Sequence, residues 1–173
     1  NPYAISKIAT ELAVARAARI DGVQAVVARS FNHIGPRQDP SFFASGIARQ
    51  VALIEAGRLA PIIRVGNLES RRDVTDVRDT VRAYRALAEH GAPGLFYNVC
   101  SGRAYRMREL LDDIVARARV SVTVQPDPDR FRPTDTPLLL GDSSRLRDAT
   151  GWAPRMPMER TLQDLLDYWR RAA

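Results

Sequence analysis

Tyr3-Ala4-Ile5-Ser6-Lys7 places a phenol and an ammonium four positions apart near the start of the chain. At about 100° per residue both lie on one helix face, turned away from the apolar positions Ile5, Ile8, Leu12 and Ala15. An ammonium beside a phenol stabilises the phenolate, which gives a proton donor or acceptor suited to carbonyl and alcohol chemistry. The spacing alone is common, and a surface tyrosine with a solvated lysine satisfies it too. Lys7 is nevertheless the only lysine; arginine supplies the other 25 of the 26 basic residues. A site that needs a compact ammonium rather than a planar guanidinium explains the exception.

A second polar cluster, Arg29-Ser30-Phe31-Asn32-His33-Ile34-Gly35-Pro36-Arg37-Gln38, follows the apolar run Ala25-Val26-Val27-Ala28. Without polar alternation, Gln24 to Phe31 reads as a strand covered on both faces. Ligands of open α/β sheets bind beyond the carboxyl ends of strands, so the cluster is well placed for binding. His33 by itself reads as a residue satisfying backbone groups.

The elements needed to hold these clusters are legible around them. Residues 4–20 predict an amphipathic helix ended by Asp21-Gly22. Further helices are predicted by Phe43, Ile47, Val51 and Ile54; by Val77, Val81, Tyr84 and Ala88; by Leu110, Leu111, Ile114, Val115 and Ala118; and by Met158 to Trp169. Asp142 or Ser143 caps a short helix ending near Gly151. Strands are expected at 61–65, 95–99, 120–124 and 138–140. Alternating helices and strands predict an α/β fold with a parallel sheet.

The chain has 173 residues, 45% of them hydrophobic and 27% charged, the balance of a soluble globular domain. A formal net charge of +6 comes from arginines interleaved with acids. No basic run, stacking series or metal-ligand Cys/His spacing accompanies it, so neither nucleic acid nor a metal is expected. No membrane span or signal-like opening is present, and the single cysteine, Cys100, points to a reducing compartment, the cytoplasm.

Four segments together resemble the extended short-chain dehydrogenase/reductases that act on nucleotide sugars. They are Tyr3-x-x-x-Lys7, Arg29-x-Phe31-Asn32-x-x-Gly35-Pro36, Arg72-Asp73-Val74-Thr75-Asp76-Val77-Arg78-Asp79 and Gly151-Trp152-x-Pro154. Asn32 to Pro36, Tyr97 to Gly102 and Arg132-Pro133-Thr134-Asp135 are most similar to reductases of GDP-4-keto-6-deoxy-D-mannose, with GDP-mannose 4,6-dehydratases as neighbours. The resemblance implies the carboxyl-terminal part of a Rossmann-type parallel sheet, residues 1–40 and 66–100, joined to a small α/β nucleotide-sugar lobe, residues 41–65 and 101–173. It implies Tyr3 as general acid and Lys7 as its electrostatic partner, both touching NAD or NADP, with Phe31 and His33 bordering the nicotinamide. Asn32, Arg37, Arg72 and Arg132 would bind the substrate, with an ion pair to Asp73 or Asp76 equally open to Arg72. A homodimer or larger species built through the first helix is also implied.

One departure from that pattern is large. No three glycines have G-x-G-x-x-G or G-x-x-G-x-x-G spacing, so the phosphate-cradling turn of a dinucleotide fold is absent. The chain therefore reads as the carboxyl-terminal half of such an enzyme, inactive by itself. A GDP-sugar-binding module without catalysis, or a half that works only with an amino-terminal partner, fits the same residues.

Overall fold

The computed structural model describes residues 2–131 and 136–173. Its helices are α1 (Pro2–Ile20), α2 (Phe43–Glu55), α3 (Val77–His90), α4 (Met107–Ala116), α5 (Ser144–Thr150) and α6 (Met158–Ala172). Its strands are β1 (Val27–Ser30), β2 (Asn32–Ile34), β3 (Ile62–Val65), β4 (Arg71–Asp76), β5 (Phe96–Val99), β6 (Ala104–Arg106), β7 (Thr123–Pro126) and β8 (Leu138–Leu139). The fold is α/β, as expected, with parallel pairing of β1 with β5, β2 with β4, β3 with β7 and β8 with β4. Among the described residues, only β6 joins antiparallel, along β4.

Of the strand expected from Gln24 to Phe31, Val27–Ser30 forms β1, and it is not covered on both faces: none of its residues is buried, and Arg29 and Ser30 are exposed. A second, unexpected strand, β2, follows at Asn32. At Phe31 the chain leaves β5, after its N–H donates to the Val99 carbonyl at 3.0 Å. Asn32 to Ile34 then pair with Val74 to Asp76 of β4. The strand expected at 120–124 begins later, at Thr123, where its N–H donates to the Pro61 carbonyl beside β3.

Two hydrophobic cores result. In the first, Ile47, Val51 and Ile54 of α2 meet Ile63 of β3, Leu111 and Ile114 of α4, and Leu162, Leu165 and Leu166 of α6. Arg170 closes it at one edge, donating to both Glu55 oxygens at 2.8 Å and so tying α6 to α2. In the second, Ala83 and Leu87 of α3 pack with Tyr97 and Val99 of β5, Leu146 of α5 and Trp152. Residues 144–152, expected in the nucleotide-sugar lobe, therefore pack on α3 and β5. The reason is local: Gly151 adopts φ 67°, ending α5, and Trp152 turns in to donate from Nε1 to the Asp79 carbonyl at 3.0 Å.

Helix α1 stands apart. None of its described residues is buried, and Ile5, Ile8 and Leu12 are 67%, 55% and 65% exposed. It is fastened to β1 by Glu11, whose carboxylate accepts two bonds from Arg29 at 2.6 and 2.7 Å. Among the described residues no helix is long and apolar enough to cross a membrane.

Asp76 joins the two cores. Its Oδ1 caps α3 through the Arg78 N–H at 2.7 Å, and its Oδ2 accepts from Thr161 of α6 at 2.7 Å. The Arg78 guanidinium binds both Asp76 oxygens and reaches Asp164 of α6 at 2.7 Å. Burial pushes the Asp76 carboxyl up, but the bonds from Arg78 and Thr161 outweigh it and hold it below its ordinary value. A carboxyl depressed in the folded state stabilises the fold above its unfolded pKa, about 3.9, and loses that contribution as pH falls through the folded value. Asp76→Ala is expected to cost about 2–3 kcal/mol near neutrality, towards the low end for a broken buried pair because Arg78 is partly solvated and keeps Asp164. Urea unfolding of both proteins against pH tests this: the difference should shrink below about pH 4. A constant difference across that range would refute the assignment.

Candidate functional site

Strand alternation sets the site. On β4, Asp73 points inward and is fully buried, while its neighbour Arg72 faces a cleft of about 470 Å³ between α2, β3 and the 127–130 segment. Arg64 of β3 alternates in the same way, outward between buried Ile63 and Val65, and Arg130 completes a set of three guanidinium groups on the cleft. Phe42 and Phe43 form an aromatic wall, and Asn32, the first residue of β2, lies at the margin. Close backbone approach keeps the space open. A Cβ on Gly66 would run into the Arg130 carbonyl, and one on Gly46 would lie 2.6 Å from the Pro40 carbonyl.

Arg72 donates to the carbonyls of Arg71 at 2.9 Å and Thr136 at 2.5 Å, which holds its guanidinium at the cleft wall. The carboxylates considered as its ion-pair partners serve other groups. Asp73 accepts from Ser101 N–H and Oγ, Gly102 N–H and Gly141 N–H, while Asp76 serves α3 and α6. Arg130 is paired with Asp127 at 3.2 Å.

Tyr3 and Lys7 share a face of α1, as the spacing predicts, with the Lys7 ammonium 5.3 Å from the centre of the Tyr3 ring. Tyr3 is 71% exposed, and neither residue lines the arginine cleft. His33 Nδ1 lies 3.2 Å from the Phe31 carbonyl, and the His33 carbonyl accepts from Gln38 Nε2 at 2.8 Å, the backbone-satisfying role expected of it. Phe31 is half-buried against the Gly141 backbone, which has no room for a Cβ. Arg37 is exposed, outside the cleft lining, and holds φ 73° in the turn closed by Gln38 N–H and the Gly35 carbonyl. A non-glycine residue there stores backbone strain next to the Asn32-His33 segment. Arg132 lies outside the described residues.

The sequence pattern described as GDP-mannose 4,6 dehydratase matches residues 1–165. The chain belongs to the GDP-mannose 4,6-dehydratase family. It is 39% identical to the GDP-6-deoxy-D-mannose reductase of Pseudomonas aeruginosa over 98% of this chain and 56% of that protein. It is 29% identical to GDP-mannose 4,6 dehydratase 1 of Arabidopsis thaliana over 96% of this chain and 46% of that one. The structure of RMD from Pseudomonas aeruginosa complexed with NADPH superposes with a TM-score of 0.94 at 38% identity, covering 100% of this chain and 57% of that one. The chain spans about half the length of the curated relatives it matches.

In this member of the dehydratase family, sequence reasoning missed Arg64, Arg130 and the two phenylalanines of the cleft. Arg64 was visible as the polar one of the two outward positions of the strand Ile62–Val65, and Arg130 as a neighbour of the Arg132-Pro133 stretch. It also missed that Asp73 gathers the loops behind Arg72. Cys100 sits in that same knot and is fully buried. Burial first, and then the Asp73 charge, push its thiol up to about 11. Since the thiolate is the reacting form, labelling of the native protein by a disulfide reagent at pH 8 is expected to be about a hundredfold slower or more than after unfolding in urea. Equal rates would contradict the buried placement.

Proposed function

We propose that the protein works as a nucleotide-sugar oxidoreductase, reducing the 4-keto group of a GDP-4-keto-6-deoxyhexose with NADH or NADPH. The observation that carries this reading is the cleft in which Arg64, Arg72 and Arg130 face an aromatic wall. Guanidinium groups match the paired phosphates of a nucleoside diphosphate, and an aromatic wall suits its base or sugar. The 39% identity to a GDP-6-deoxy-D-mannose reductase supports the same substrate class.

The residues present suit the nicotinamide half of the cofactor. Tyr3 and Lys7 leave an exposed phenol and ammonium on one face of α1, and Phe31 and His33 lie where β1 gives way to β2. Lys7 would bond the nicotinamide ribose, and Phe31 and His33 would border the ring. When bound, the cofactor supplies the hydride. Tyr3 then gives its phenolic proton to the carbonyl oxygen, which becomes a hydroxyl, and the Lys7 ammonium stabilises the phenolate left behind. Asn32 and Arg72 hold the sugar diphosphate, with Arg132 and Arg37 as further candidates. The uncovered stripe of Ile5, Ile8 and Leu12 supports self-association through α1 as part of this reading.

A 4,6-dehydratase or a binding module without catalysis uses the same cleft; the match over residues 1–165 favours the first of these. Calorimetry with GDP on the 173-residue chain tests the binding half of the proposal. Arg64→Ala and Arg72→Ala are each expected to weaken affinity by about tenfold, the loss of one charge-assisted bond. Unchanged affinity in both variants would remove the cleft from the proposal.

The chemical half is tested in a protein carrying the full length of its relatives. Tyr3→Phe should lower kcat by at least about a hundredfold with little change in GDP-sugar affinity, because the hydroxyl acts in proton transfer. Lys7→Arg should also be severe, because a planar guanidinium does not replace a compact ammonium. Normal turnover in either variant excludes that residue from the mechanism.

A further inference from the structure

A second cleft, of about 350 Å³, shares no lining residue with the arginine cleft. It lies where the end of β4 meets the Pro154–Glu159 segment that leads into α6, so two of the segments singled out in the sequence converge on it. Asp79 binds them together, accepting from the N–H groups of Arg155 at 2.9 Å and Met156 at 2.8 Å.

Two independent features of this cleft ask for a ligand oxygen. The first is the start of α6. Its cap residue, Pro157, has no side-chain acceptor to offer, and although the Arg160 and Thr161 N–H groups reach the Pro157 carbonyl at 3.1 Å, those of Met158 and Glu159 have no acceptor among the described residues. The second is Thr75, only 3% exposed on the cleft wall, whose hydroxyl has no hydrogen-bond partner among the described residues. A buried hydroxyl is costly to leave unmatched, and the amino end of a fifteen-residue helix attracts negative charge.

The charges around the space leave a positive excess. Arg103, stacked 4.5 Å over the Tyr105 ring, and Arg155 both line it. Three carboxylates face it as well. Asp76 is neutralised by Arg78 and Asp79 by Arg82, which leaves exposed Glu159 against two guanidinium groups. Met156 and Met158 add an apolar wall.

We propose that this second cleft binds a phosphate group, held by the first amides of α6 and the Thr75 hydroxyl and neutralised by Arg103 and Arg155. The apolar wall suits a small organic remainder, so the natural ligand is a small phosphate ester. The site lies apart from the nucleotide-sugar cleft and stands independently of the reading given to that cleft.

The test is a titration of the nitrogen-15-labelled chain with inorganic phosphate at constant ionic strength, followed by amide shifts. Saturable shifts are expected at Thr75, Met158 and Glu159. Arg155→Ala, at an exposed position that leaves the fold intact, should weaken binding by about tenfold. Thr75→Val should weaken it several-fold without lowering the thermal midpoint, since the hydroxyl has no internal bond to lose. Absence of saturation at these amides, shifts confined to Arg64, Gly66 and Arg72, or binding indifferent to both substitutions would overturn the proposal.

Discussion

Asp73 accepts four hydrogen bonds from three residues in two separate turns, Ser101 and Gly102 in one and Gly141 in the other, while fully buried. A carboxylate removed from water costs several kcal/mol, and bonds to a charged acceptor are worth about 1.5–3 kcal/mol each, so four of them roughly balance that cost. What the arrangement secures is position. The turn after β5 and the turn after β8 are both drawn to β4, and β4 thereby becomes the strand along which β2, β6 and β8 all pair. Arg72 inherits its placement from this, because on a strand the residue next to an inward aspartate must face the other way.

The same strand continues the pattern towards α3. Asp76 and Asp79 take over where Asp73 ends, the first joining α3 to α6 and the second holding the Arg155-Met156 backbone and, through its carbonyl, Trp152. One nine-residue stretch, 71–79, therefore sets one wall of each cleft and the junction between the two hydrophobic cores. Its three aspartates are directed inward to backbone donors, the reverse of the usual solvated face of a charged segment.

That reversal explains what was legible in the sequence and what was not. Helices α2, α4 and α6 declare themselves because Ile47, Leu111 and Leu162 fall on apolar stripes with ordinary period. Helix α3, by contrast, was read from Val77, Val81, Tyr84 and Ala88, of which the last three are exposed while Ala83 and Leu87 carry its buried face. Strand β4 does not, because Arg71-Arg72-Asp73-Val74-Thr75-Asp76 has a polar residue at nearly every position and its burial depends on partners more than 25 residues away. The change of neighbour at Phe31 was equally hidden, since the apolar run Ala25 to Ala28, only half-buried in the fold, says nothing of which strand the chain pairs with next. At the site, the face shared by Tyr3 and Lys7 follows from helix geometry alone. The gathering of Arg64, Arg72 and Arg130 does not, because it needs the pairing of β3 with β7 and the turn after it.

On the proposed reading, the location of the two groups divides binding from chemistry. Apart from the exposed 128–130 segment, the walls of the arginine cleft come mostly from elements packed on the first core, where α2, α4 and α6 interlock and Arg170 ties α6 to Glu55. Tyr3 and Lys7 sit on a helix that contributes nothing to either core and is fastened to β1 by the Arg29–Glu11 pair. Rigid walls suit the recognition of a diphosphate, whose affinity depends on guanidinium groups held ready in place. A proton donor needs its angle to the carbonyl fixed as well, and an exposed ion pair contributes at most about 1 kcal/mol towards fixing it. On that reading, the orientation of α1 then draws on further surfaces laid against Ile5, Ile8 and Leu12, with binding assigned to the interior of this chain and catalytic alignment to what covers its first helix.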